Sequence, residues 1–380
     1  MGLCLSKHRK PSLWPDLPPE LVGVILCLLP SHADRLSFRA VCRQWRLAAK
    51  QDPSLPPALP WLRLNHRTFR SLPGGERRRL KPIGVFHTGT AIASDGWLKY
   101  KLYSYKTRSS FLFNPFTGAS IYVPPPPPDS ICLKTIVCSP DLIATLININ
   151  TAVAFYRLGA PSWSVSRPPC YSQDGHQWMR SYSDIALHRG KLYGLTNVEE
   201  LFSHELVDDN DADRASMASH VAVEHVIKEP ADAGNHRCFH HYLVATCDDR
   251  LLMVGWWYPI WVTYVERSIK EKCEAIKLHV FEADLEMGRW IEVKDGLNGQ
   301  ALFISRNCSK VIRVCSNDQK FQGDHVYFLV CDLGYIDRTF SSYLFGSYDL
   351  KNNRINGLFL KKKRNAKNKL CSPEWFFPCM

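Results

Sequence analysis

From about Lys81 onward the chain repeats one device, a short apolar run, a cluster of turn residues and a second short apolar run, with almost no helix signal between. Phe111–Phe113 leads into Asn114-Pro115-Phe116-Thr117-Gly118 and out through Ile121–Val123, which reads as strand, turn, strand with Pro and Gly where a tight turn takes them. Comparable pairs are Val153–Leu158 with Trp163–Val165, Leu192–Leu195 with Leu201–Leu206, and Leu243–Thr246 with Leu251–Val254. Lys277–Glu282 with Trp290–Val293 and Tyr343–Tyr348 with Ile355–Leu360 follow. Turn centres near residues 118, 160, 199, 249, 288 and 351 stand about 42, 39, 50, 39 and 63 residues apart. Most of these intervals match a four-stranded β-propeller blade of roughly 40–50 residues, and the long last one holds a further hairpin-like pair around Val326–Cys331. Radial repetition suits short strands, because each blade covers its neighbour's apolar face and leaves only short edges exposed. The pattern predicts an all-β domain of about six blades, with seven blades, a sandwich or two smaller β domains as alternatives.

The start of the chain is written differently. In Trp14–Arg46 three helical patterns follow one another. Leu17 and Pro18 precede Glu20, and Leu21, Val22, Val24, Ile25, Leu28 and Leu29 give the apolar spacing of an amphipathic helix that Pro30 stops. Ser31 with Asp34 three residues on predicts an N-cap and a carboxylate at the positive helix end. Leu36, Phe38, Ala40 and Val41 carry the second pattern, and Cys42, Trp45 and Ala48 the third. A module of about 45 residues cannot bury a strong core alone, and its apolar residues occupy more than one helix face, so part of that surface is expected to serve a partner.

The order Leu17-Pro18-x-Glu20-Leu21, Ile25-Leu26, Leu29-Pro30, Asp34, Leu36, Arg39, Val41-Cys42-Arg43, Trp45-Arg46 resembles the F-box, the adaptor-binding module of Skp–cullin–F-box ubiquitin ligases. The resemblance implies that Leu17, Pro18, Leu21, Ile25, Leu26, Leu36, Val41 and Trp45 lie against a Skp-type adaptor and through it reach a cullin. Arg35 stands where the usual pattern has a second leucine, a departure expected to weaken one adaptor contact. Across the remaining 300 or so residues a second resemblance runs. Asp95-Gly96-Trp97-Leu98, Phe113–Gly118, Cys138-Ser139-Pro140-Asp141, Ala152–Phe155 and Pro161-Ser162-Trp163-Ser164 look like a plant F-box-associated domain of the KIB type. Asp184-Ile185 followed by Gly190-Lys191-Leu192-Tyr193, then Asp284–Val293, Ala301-Leu302-Phe303 and Trp375-Phe376-Phe377-Pro378, continue it. No single motif is strong; their order behind an F-box is what carries the likeness, and it implies a β-propeller. The expected organisation is a basic leader over residues 1–12, a three-helix F-box over 13–55, a basic linker over 56–80, the propeller over 81–360, and over 361–380 a basic segment with a propeller-closing strand or tail.

Charge is distributed unevenly: 15 Lys and Arg stand against 5 Asp and Glu in residues 1–82, 25 against 30 in residues 83–350, and 8 against 1 in residues 351–380. A nucleic-acid-binding domain would carry its basic patch on the folded body, so no nucleic acid partner is expected. The 14 Cys are scattered singly with no C-x-x-C pair, which fits reduced thiols rather than a disulfide scaffold. His236-x-Cys238-x-His240-His241 has metal-capable side chains and alternate spacing that would put His236, Cys238 and His240 on one strand face, but no second ligand pair stands near, so no metal or cofactor is expected. Val207–Arg214, with four Asp, lacks the Gly and the Glu of a calcium loop and reads as an acidic surface loop. Pro124–Pro128 reads as a stiff polyproline II connector between strands. Leu142–Phe155 and Leu251–Val265, the longest apolar stretches, are broken by Asn148 and Asn150 or by Gly255 and Pro259, and neither reaches the roughly 18 residues of a spanning helix.

The termini carry opposed signals. Met1-Gly2-Leu3-Cys4-Leu5-Ser6 fits an N-myristoylation pattern at Gly2, with Cys4 available for palmitate and Lys7, Arg9 and Lys10 for anionic lipid; an unmodified leader is the alternative. Lys361-Lys362-Lys363-Arg364 resembles a nuclear-localisation run or a solvated surface stretch. Location is therefore expected in the cytoplasm or nucleus, or at a membrane surface if Gly2 and Cys4 are acylated. G-x-S-x-G, P-loop, dinucleotide-binding glycine and His-Glu-x-x-His patterns are all missing from the sequence. The expected function is a non-catalytic substrate receptor of a ubiquitin ligase, with the propeller holding an unidentified target protein. A tethered or nuclear F-box scaffold that directs no turnover is the second reading, and a propeller enzyme or lectin the third.

Overall fold

The computed structural model describes residues 17–29, 31–51, 58–64, 68–80, 92–94, 96–101, 110–127, 130–148, 152–168, 181–206, 222–231, 236–246, 248–259, 277–314, 321–331, 342–361 and 374–378. Three short helices come first: α1, Pro19–Leu28; α2, His32–Ala40; and α3, Arg43–Gln51. Pro occupies the first turn of α1, where its missing N–H costs nothing, and Glu20 places a carboxylate at the positive end. Ser31 has the extended backbone of an N-cap, but its hydroxyl makes no capping bond. The junction between the first two helices is tied instead by Arg35, whose Nε donates to the Leu29 carbonyl at 2.7 Å, a cationic group on the terminal carbonyls of α1. Arg35 is buried, so the substitution at this position serves the module internally and does not remove a leucine from an adaptor face. Val22, Leu26, Phe38, Trp45 and Ala49 form the helical core, with Phe38 and Trp45 stacked at 4.3 Å.

The rest is a six-bladed β-propeller. Blade 1 pairs Glu374–Phe376 with Trp61–Arg63, Thr68–Ser71 and Arg77–Arg79 in that order outward. Blade 2 runs Ile92–Ser94, Trp97–Lys101, Ser110–Phe113, Ser120–Val123, and blade 3 runs Cys132–Val137, Leu142–Ile147, Ala152–Arg157, Ser164–Ser166. Blade 4 holds Tyr182–His188, Lys191–Thr196, Leu201–His204 and Val223–Ile227; blade 5 holds His236–Ala245, Leu251–Pro259, Lys277–Asp284 and Arg289–Glu292. Blade 6 is five-stranded, in the order Lys310–Arg313, Gln300–Ser305, His325–Cys331, Ser342–Asp349, Arg354–Lys361, and its second and third strands are parallel. Inner strands of successive blades touch from blade 2 through blade 6, and Glu374–Phe376 closes the circle by meeting the second strand of blade 6 on one side and the inner strand of blade 2 on the other. Every residue of Leu142–Ile147 is buried, as expected of a strand covered on both faces by neighbouring blades. Among the described residues of the polyproline run, Pro124–Pro127 link the outer strand of blade 2 to the start of blade 3.

The propeller begins 20 residues earlier than Lys81. The basic linker expected over 56–80 is three strands of blade 1, closed by the C-terminal strand through the register Trp61↔Phe376, Leu62↔Trp375 and Arg63↔Glu374. The charge that suggested a linker divides in two. Arg63 is buried and paired with Glu374 at 2.7 Å, whereas Arg77–Arg79 is the outermost strand, an exposed edge whose charges discourage pairing with other chains.

Candidate functional site

On the helices, apolar side chains remain uncovered after the core is complete. Leu21, Val24 and Leu28 of α1 are 52%, 56% and 61% exposed, and their i, i+3, i+7 spacing places them on one stripe. Leu36, Val41 and Leu47 are exposed as well. Of the residues expected to face an adaptor, Pro18, Leu21, Leu36 and Val41 stand at the surface, and Leu17 and Ile25 are half-buried against the core. Leu26 and Trp45 are core residues and are not available for contact. Val24, Leu28 and Leu47 belong to the exposed set that the sequence reading did not assign. The i+3 and i+7 spacing from Leu21 was the signal for the first two, but the stripe is apolar on both flanks, and the pattern alone does not say which flank faces inward.

The helices sit on the propeller through α2. His32, its first residue, is completely buried, with its ring 4.6 Å from Phe116 and 5.8 Å, edge-on, from Trp61. Phe116 belongs to the Asn114–Gly118 turn between the two outer strands of blade 2. Asn114 shapes that turn: its Oδ1 accepts from the Phe116 and Thr117 amides at 2.9 and 3.2 Å. Gly118 closes the turn with φ +77, a left-handed value that a side chain would strain.

Around the ring, buried polar side chains stitch blade to blade. Asp184, on the inner strand of blade 4, receives Lys134 from blade 3 at 2.7 Å and the Leu243 amide from blade 5 at 2.8 Å. Lys99 of blade 2 donates to Thr135 of blade 3, Asn307 of blade 6 donates to Glu374 of blade 1, and Gln300 of blade 6 donates to Asp248 of blade 5. Inside the ring lies a cavity of about 140 Å³ lined by Lys134, Thr135, Leu187, Leu243, Asn307 and Lys310, among others. Of its charged members, Lys134 is paired with Asp184 and Lys310 lies over the Phe377 ring at 5.7 Å.

Two titratable groups where blades 3 and 4 pack together are held neutral. Burial lowers His204, at the blade 3–blade 4 seam, to about 4, and pushes the Cys138 thiol up to about 12. Neither value suits a general base or a thiolate nucleophile at neutral pH. Among the described residues no cluster of His, Cys, Asp and Glu could hold a metal ion. The backbone register shifts between Cys238 and His240, which breaks the alternation that a one-face arrangement of His236, Cys238 and His240 requires. The side chains of His236 and Cys238 lie outside the described residues, as do Gly2, Cys4 and the acidic loop at 207–214. His241 instead meets Glu199 at 3.1 Å across the blade 4–blade 5 seam.

Family comparison agrees with this geometry. A family model described as KIB1-4 beta-propeller matches residues 69–358, more than half of the chain. The chain belongs to that family. An F-box-like model matches residues 14–55, the three helices and their flanks. The KIB-type propeller is thus carried behind an F-box, an arrangement of the plant F-box proteins. A putative F-box/LRR-repeat protein 22 of Arabidopsis thaliana is 38% identical over 68 residues, 18% of this chain. The match spans about a fifth, 20%, of that relative's length. TolB from Acinetobacter baumannii (9% identity, 87% of this chain and 70% of that chain, TM-score 0.39) is similar in structure. So is a Lactobacillus plantarum protein (9% identity, 84% and 99%, TM-score 0.41). At these scores neither bears on function. F-box and propeller modules are characteristically binding modules without chemistry of their own.

Proposed function

We propose that this KIB-type F-box protein is the substrate-recognition subunit of a Skp–cullin–F-box ubiquitin ligase, its helices binding the adaptor and its propeller a target protein. The observation that carries the reading is the division of labour in the helices. A complete small core from Val22, Leu26, Phe38 and Trp45 leaves Leu21, Val24, Leu28, Leu36, Val41 and Leu47 exposed. Scattered exposed apolar residues are ordinary on any surface, but six on one module of three short helices, with Leu21, Leu36 and Val41 at positions that resemble an adaptor-binding module, favour a partner. Burial of that surface would supply most of the affinity. The propeller then raises the concentration of the target's lysines near a ubiquitin-charged enzyme, and the chain itself catalyses nothing. Co-expression of the full chain with a Skp-type adaptor is expected to give a stable complex; a folded chain that captures no adaptor overturns the reading. Capture without any change in a partner's half-life favours the scaffold reading instead. Membrane attachment through Gly2 and Cys4 belongs to the same proposal, and unchanged membrane fractionation of Gly2→Ala would remove it.

A further inference from the structure

We propose that His32 keys the F-box into a socket on the propeller, so that the two modules turn as one rigid body. The socket is built from three distant parts of the chain. Trp61 comes from the second strand of blade 1, Phe116 from the outer turn of blade 2, and Phe376 from the inner strand that closes the ring. Phe116 stacks on Phe376 at 5.9 Å and meets Trp61 edge-on at 5.5 Å, and Trp61 and Phe376 are 6.4 Å apart. The His32 ring enters this group from the helix side and leaves none of its surface to solvent.

Neither side of the contact gives easily. Phe116 cannot swing freely, because Asn114 is itself buried and holds the turn amides, and the Gly118 amide returns to the Asn114 carbonyl at 2.9 Å. On the other side, the Arg35 guanidinium binds the Leu29 carbonyl one turn further along α2, which fixes α1 and its exposed stripe to the same helix. The chain of contacts therefore runs from the Leu21–Val24–Leu28 stripe through Arg35 and His32 to the closing seam of the ring. A tether would let the propeller sample many orientations about the helices. This seat permits one.

The inference deepens the ligase reading, and its functional consequence rests on that reading. A propeller held in one orientation presents a target's lysines from a fixed position, which raises the effective concentration of some lysines and excludes others. The seat itself does not depend on the reading. It is tested on the full chain carrying fluorophores on unnatural residues at Gln44 of α3 and Met287 of blade 5, both exposed. Single-molecule energy transfer is expected to give one narrow population in the native chain. His32→Ala, and independently Phe116→Ala approached from the propeller side, are expected to broaden it, and His32→Phe, which keeps a ring in the socket, to restore it. Equal widths in the native and His32→Ala chains overturn the proposal, as does a broad native population. In a ligase reconstituted with adaptor, cullin and charged enzyme, mass spectrometry of self-ubiquitination is the second readout. His32→Ala is expected to spread modification over more lysines while adaptor capture stays within twofold of native. An unchanged lysine pattern overturns the functional consequence. A native chain that captures no adaptor overturns the ligase reading, and the energy-transfer widths then decide the seat alone.

Discussion

Two leucines two residues apart on α1 separate binding from folding. Leu26 is fully buried against Val22, Phe38 and Trp45, and Leu28 is 61% exposed. Full burial of a leucine side chain is worth about 1.5–3 kcal/mol, so covering the exposed part of Leu28 with an adaptor contributes about 1–2 kcal/mol. Leu28→Ala is then expected to weaken adaptor binding roughly five- to thirty-fold with free-chain stability unchanged within about 0.5 kcal/mol. Leu26→Ala leaves a cavity and costs about 2–5 kcal/mol, as much as a core of this size supplies in total, about 3–5 kcal/mol. It is expected to lose helical content and adaptor binding together, while the propeller's melting transition remains. Titration calorimetry against purified adaptor, with circular dichroism melts of each free variant, measures both quantities. The reasoning is refuted if Leu28→Ala binds within twofold of native, or if Leu26→Ala keeps native helicity and loses only binding.

Asp184→Ala removes the carboxylate from a buried lysine and two backbone amides. The uncompensated Lys134 alone costs about 3–5 kcal/mol, and Asp184→Ala with Lys134→Met is expected to recover most of that in denaturant melts. His204 is neutral in the fold and has a pKa of about 4 there against 6.5 in the unfolded chain. As pH falls through 6.5 the unfolded chain takes up the proton first. Stability therefore drops by about 1.4 kcal/mol per unit until about pH 4, roughly 3 kcal/mol in all, and His204→Gln is expected to flatten that slope. Cys138, held near 12 by burial, is expected to resist iodoacetamide at pH 8 in the native chain and to react once it is unfolded, as peptide mapping would show.

Much of the fold was readable because a propeller repeats itself. The turn centres near 118, 160, 199 and 351 fall one each in blades 2, 3, 4 and 6, while those near 249 and 288 both fall in blade 5, so the six centres mark five blades and the count of six is reached only with blade 1. Blade 1 escaped because its strands are split between the two ends of the domain, so no interval measures it. Its short strands, moreover, carry Arg63 and Arg77–Arg79, which read as solvated linker until the ion pair with Glu374 is seen. The helices were legible as elements, since Pro18, Pro30 and the apolar spacing mark their ends. Their facing was not. Leu26 and Leu28 are equally apolar, and only the angle at which α1 packs on Phe38 and Trp45 decides which one is hidden. Arg35 misled for a related reason: a charge in a leucine position looks like a lost surface contact, and its bond to Leu29 exists only once two helices meet.

The closing strand also sets an order in time. Synthesis proceeds from the N-terminus, so α1 to α3 and the outer three strands of blade 1 leave the ribosome before the 294 residues that separate Arg79 from Glu374. At about 5–20 residues per second that interval lasts roughly 15–60 s. Throughout it the helices have their own core while the socket for His32 lacks Phe376 and the ring stands open. Under the proposed ligase reading, a nascent chain would meet an adaptor well before it could hold a target.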